Sequence, residues 1–92
     1  MRFRKTFYSP EHWYWLGVDE LTGFYFASFP VTASFASYEE YYKLTDEEHA
    51  LFAADPAAAL AFVEECRRQD QHDIRLLQKP GWNRGSPMRP AP

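Results

Sequence analysis

At 92 residues and 10.8 kDa the chain has the length of one small domain, which excludes a two-domain enzyme. Its 18% aromatic content, set in a chain of mean hydropathy −0.55, means that large rings must do most of the core filling. The formal net charge of −3 hides an asymmetry: residues 1–36 balance, residues 37–74 carry ten acids against three bases, and residues 75–92 carry four bases and no acid.

Taken in chain order, Phe3 to Tyr8 is extended-prone and Ser9-Pro10-Glu11 breaks it. His12 to Val18 is an aromatic run that ends around Gly17-Val18-Asp19-Glu20. Leu21-Thr22-Gly23 supplies a turn before a strand at Phe24 to Phe29, and Pro30 closes that strand because it lacks a ladder donor. Around 13–16 and 24–27 the apolar residues occupy both parities, so either both faces of the sheet are covered or one face awaits a partner. Tyr38 to Leu44 reads as a fourth strand on its tyrosine content, although the stretch is ambiguous between strand and helix.

Thr45 begins a helix with a mechanism. Its hydroxyl can cap backbone N–H groups, Asp46 and Glu47 suit the positive end of the dipole, and Glu48 completes a capping box, which predicts a helix over 46–54. Asp55-Pro56 repeats the signal, with an acid at N-cap and proline at N1, and opens a second helix through Arg68. Ala59, Phe62, Val63 and Cys66 form its apolar stripe with Leu60 at the edge, while Arg67 and Arg68 fall at the carbonyl end. His72 to Leu77 is a candidate last strand. The domain is therefore expected over residues 1–78, with 79–92 a Pro/Gly-rich basic mobile tail. The predicted fold is α+β, a three- to four-stranded antiparallel sheet packed against two helices.

The single cysteine, Cys66, leaves no internal disulfide and fits a reducing, cytoplasmic compartment. Neither a signal peptide nor an apolar run of about 18 residues is present, so no membrane association is expected. No metal or cofactor site is expected either: His12, His49 and His72 lack ligand spacing, and Cys66 lies on a helix stripe that points to a buried, inert thiol rather than a nucleophile paired with His72. The glycines at 81 and 85 flank Arg84 but lack the lysine and the following helix of a phosphate loop. An acidic middle argues against nucleic acid, because phosphate contacts need clustered cations, and the rings of Trp13, Tyr14 and Trp15 are better spent on a core.

The order Tyr41-Tyr42-Lys43-Leu44-Thr45-Asp46-Glu47-Glu48, then Asp55-Pro56, then Phe62-Val63-Glu64-Glu65-Cys66-Arg67-Arg68 and His72-Asp73, resembles the small immunity proteins of bacterial polymorphic or contact-dependent toxin systems. The resemblance covers residues 38–74 and rests on capping and helix signals. It implies a cytoplasmic, non-catalytic protein that covers the active site of a cognate toxin. No binding residue follows from the resemblance, so the contact surface is read from the residues themselves. Glu39, Glu40, Asp46, Glu47 and Glu48 would steer a basic toxin domain, and Tyr38, Tyr41 and Tyr42 would anchor it. The alternative is a homodimeric structural module whose aromatic sheet face is buried by a second copy.

Overall fold

The four N-terminal strands run as an antiparallel meander: β1 (Phe3–Ser9), β2 (Tyr14–Asp19), β3 (Tyr25–Ala33) and β4 (Ala36–Leu44), neighbours in sequence being neighbours in the sheet. Two helices follow, α1 (Asp46–Ala54) and α2 (Pro56–Arg67), and a two-residue strand β5 (Ser86–Pro87) pairs with β3. This computed structural model describes residues 1–33, 36–81 and 84–90. The α+β architecture expected from the sequence is the one found, and among the described residues no helix is long and apolar enough to cross a membrane.

The helix starts follow their capping chemistry. The Thr45 hydroxyl accepts from Glu48 N–H at 3.1 Å while the Glu48 carboxylate accepts from Thr45 N–H at 2.9 Å. Asp55 accepts from Ala57 and Ala58 N–H at 3.1 and 3.2 Å, with Pro56 at the first helical position. The stripe Ala59, Phe62, Val63 and Cys66 is buried as its spacing requires. It meets one face of the sheet, where Tyr14, Leu16, Ala27, Phe29, Val31, Tyr42 and Leu44 complete the core, and Phe52 is the buried contribution of α1. Each large apolar side chain removed from water there contributes about 1.5–3 kcal/mol before entropy is charged.

Four segments differ from expectation. Pro30 does not end β3, which continues to Ala33. β2 pairs only as far as Ser28, so Pro30 faces an edge that β2 has left, and the carbonyl of Pro30 accepts on that edge from Met88 N–H at 2.9 Å; no ladder bond to β4 is lost. Gly17 is not a strand end but lies mid-strand between Lys5 and Phe26, where a Cβ would collide with the Arg4 carbonyl oxygen and sit 2.6 Å from Phe26 Cζ. Residues 72–77 form no strand. A 3₁₀ turn at Asp73–Arg75 is followed by a single bridge from Leu76 to Tyr42, and the turn directs Arg75 to Glu48 and Asp73 to Arg84. The fourth difference is in the expected tail, where Arg84–Pro90 lies on the domain through β5 and ion pairs; Trp82, Asn83, Ala91 and Pro92 are outside the described residues.

The end of β2 is tied by one carboxylate. Asp19 is fully buried and accepts from Arg2 Nε and Nη2 at 2.9 and 3.0 Å, from Thr22 Oγ1 at 2.7 Å and from Leu21 N–H at 3.1 Å. The Arg2 guanidinium, helped by Thr22 and the Leu21 N–H, outweighs burial and holds the carboxyl down at about 2. A depressed acid stabilises the fold fully above its unfolded value of about 3.9 and loses that contribution as the pH falls toward its folded value. Urea midpoints of Asp19→Asn and the parent chain should therefore differ most at neutral pH and converge toward about pH 2. A gap that is constant with pH would remove Asp19 from the acid limb.

Candidate interaction surface

Alternation along β4 decides where the residues proposed from the sequence go. Cross-strand register places Tyr38, Glu40, Tyr42 and Leu44 opposite Val31, Phe29, Ala27 and Tyr25, on the helix side. Glu39, Tyr41 and Lys43 point to the other face, opposite Pro30, Ser28 and Phe26. The acidic stretch is thus split by the pleat into a buried half and an open half, and does not form one continuous band.

Glu40 is 3% exposed, and its carboxylate is fully engaged. Arg84 reaches it through Nε at 2.7 Å and Nη2 at 3.0 Å, the Tyr42 hydroxyl donates to it at 2.7 Å, and the same guanidinium binds both oxygens of Asp73 at 2.7 and 3.0 Å. Asp73 and Glu40 push the Arg84 pKa up, and burial followed by the hydrogen bond to Glu40 pushes the Tyr42 phenol up. This cluster is a tie between the sheet, the 3₁₀ turn and the C-terminal segment. Glu48 is bound bidentately by Arg75 at 2.8 and 3.1 Å; burial acts to raise its pKa, but Arg75 and the Thr45 N–H leave it lowered. Asp46 and Glu47 are exposed at the start of α1 and make no ion pair among the described residues.

The face of the sheet away from the helices carries Trp15, Phe24 and Phe26 from the stretches with apolar residues at both parities, joined by Phe3 and Tyr8 of β1 and Tyr41 of β4. Phe3 stacks on Tyr41 at 3.7 Å, both meet Phe26 edge-on, and Tyr8 stacks on Trp15 at 4.8 Å. Lys5 Nζ lies 4.2 Å from the Trp15 ring centroid and 2.6 Å from Glu39, which also accepts from Ser28 Oγ at 3.2 Å. Lys43 Nζ sits 3.8 Å from the centroid of Phe24. Among the described residues no helix crosses this layer. Phe26 is fully buried beneath it, but Tyr8 and Phe24 remain 43% and 40% exposed. A shallow cleft of about 380 Å³ opens at its β4 edge between Arg2, Phe3, Lys5, Glu39, Tyr41 and Gln78.

The cysteine and the histidines of α1 and of the segment after α2 are held in structural contacts. Cys66 is 1% exposed and burial pushes its thiol up, away from a reactive thiolate. His72 Nε2 lies 2.8 Å from Glu65 Oε1, and its ring packs on Phe62 at 4.8 Å. His49 stacks on Tyr25 at 3.8 Å, where burial lowers its pKa. No group of three or more metal-ligating side chains converges among the described residues. Phe3, Lys5, Tyr8, Trp15, Phe24 and Lys43 were not among the proposed contact residues; apolar residues at both parities were the signal for Trp15 and Phe24, and no sequence signal marked the other four. No protein-family model, curated protein or solved structure matches the chain.

Proposed function

We propose that the protein is a non-catalytic, cytoplasmic protein-binding inhibitor, of the kind represented by the small immunity proteins it resembles, and that it covers the active site of a basic toxin domain with its open sheet face. The observation that carries this reading is the helix-free side of the sheet, where Tyr8 and Phe24 stay more than one-third exposed at the rim of the rings that Phe3, Phe26 and Tyr41 pack among themselves. Tyr41 and Glu39, from the sequence-proposed set, belong to that face. Rings held in stacks and under lysines lose little side-chain entropy on binding, which favours them as anchors. Asp46 and Glu47, exposed and without ion pairs among the described residues, supply the charge that steers a basic partner. Tyr38, Glu40, Tyr42 and Glu48 serve instead by holding the scaffold.

The test compares capture by the tagged parent chain with capture by Tyr8→Ser/Phe24→Ser, washed at about 0.5 M salt to remove weak electrostatic contacts. One stoichiometric protein should be recovered by the parent and lost, at least about tenfold, from the double variant. Equal recovery by both chains would sink the open-face reading. A parent that captures only itself, and scatters light as a dimer which Tyr8→Ser/Phe24→Ser dissociates, would assign the face to a second copy.

A further inference from the structure

The segment Arg84–Met88 is held as a ligand is held. Its arginine enters a site built by Glu40, Asp73 and the Tyr42 hydroxyl, with five guanidinium contacts between 2.7 and 3.2 Å. Gly85 N–H then donates to the Tyr38 hydroxyl at 3.0 Å, and the Gly85 carbonyl accepts from Gln69 Nε2 at 3.0 Å. Beyond it, Ser86 and Pro87 add a short strand to the β3 edge that β2 has vacated, and Met88 N–H donates to the Pro30 carbonyl at 2.9 Å. The glycine is required by space: a Cβ at Gly85 would collide with the backbone carbonyl of Thr32 and approach Ala33 Cβ to 2.9 Å.

We propose that this groove is a peptide-binding site for an extended Arg-Gly segment, occupied in the structure by the chain's own Arg84–Met88. Its selectivity has two independent sources. A buried carboxylate with a second acid beside it demands a bidentate cation, for which lysine is a poor substitute. The contact with Thr32 demands a residue without a side chain immediately after. The rest of the interaction is main-chain pairing, which any extended chain can make. The site lies on the helix side and is separate from the open face, so it stands whether or not a toxin is the partner. Because the connecting residues 78–83 are short, the resident segment acts at an effective concentration of about millimolar, and a competing chain must match that or find the segment dislodged.

The test uses the full chain with Gly85→Ala, which should expel the resident segment and leave Glu40 without its cation, so that the variant is less stable than the parent but keeps the β3–β4 and α2 frame around the groove. A fluorescent peptide of residues 84–90 should bind this variant saturably at one per chain. It should bind the parent at least about tenfold more weakly, as should peptides altered to alanine at the Arg84 or the Gly85 position bind the variant. Absence of binding to folded Gly85→Ala, or equal binding of the Arg84→Ala peptide, would overturn the proposal. Should Gly85→Ala fail to fold, the parent chain serves: its Arg84 Nε–H NMR signal should be protected from solvent and shift toward the free position as unlabelled peptide reaches millimolar concentration. A signal at the free position from the outset, or one that the peptide never moves, would equally overturn it. A concentration-dependent parent dimer that the peptide dissociates supports the site and identifies a second copy as the source of the segment in trans; a parent that stays monomeric while the peptide binds supports it with a foreign chain as the source.

Discussion

Arg84→Ala should lower stability by about 3–5 kcal/mol, the cost of leaving a buried carboxylate without its cation. Glu40 is 2% exposed at its side chain, and without Arg84 it keeps, among the described residues, only the Tyr42 hydroxyl as a close donor. Asp73, at 35% exposure, can turn to water and loses less. Urea unfolding should show a lower midpoint at unchanged slope, and the melting temperature should fall by at least about 10 °C for a domain of this size. Glu40→Met combined with Arg84→Met should recover most of the loss, because two apolar side chains of similar volume carry no unpaired charge. A single-variant loss below about 0.5 kcal/mol would mean that the segment contributes no more than an ordinary surface contact.

The second large effect is expected at Arg67, read from the sequence only as a cation suited to the end of α2. The residue is 4% exposed. Its guanidinium donates to Glu64 at 2.6 Å, to the His12 carbonyl at 2.7 Å and to the Trp13 carbonyl at 3.3 Å, and stands 5.4 Å from the Phe29 ring centroid. Trp13 sits at φ 57°, a left-handed conformation that costs a bulky residue energy and persists only where neighbours hold it. Arg67→Met keeps the packing on Phe29 and removes those bonds, so a loss of about 2–4 kcal/mol is expected, with faster hydrogen exchange across residues 10–14. Arg67→Lys, with a single ammonium, should recover only part of it. Unchanged exchange in Arg67→Met would show that the turn holds its own shape.

Local signals in the sequence were sufficient where the physics is local. Thr45 with Glu48 and Asp55 with Pro56 satisfy helix N–H groups within four residues, so the starts of both helices were legible, as was the stripe from Ala59 to Cys66. The meander was legible for the same reason, since each strand pairs with the next. Pro30 and Gly17 were misread because their usual meaning as breakers assumes a fully paired neighbour and an ordinary cross-strand residue. One had lost the neighbour, and the other had the Arg4 carbonyl oxygen and the Phe26 ring where a side chain would go.

By itself the sequence determined the class of fold, the two capped helices and the presence of more aromatic surface than one sheet face can bury. It could not decide which carboxylates remain on the surface. That depends on the pleat, which turns Glu39 outward and Glu40 inward, and on cations distant in the chain, Arg84 lying 44 residues from Glu40 and Lys5 lying 34 from Glu39. Charge pairing across such separations leaves no periodicity and no composition signal. Only the tertiary structure, by bringing Lys5 and Arg84 to the two faces of β4, decided which of the proposed contact residues are held inside the scaffold and which lie on the helix-free face.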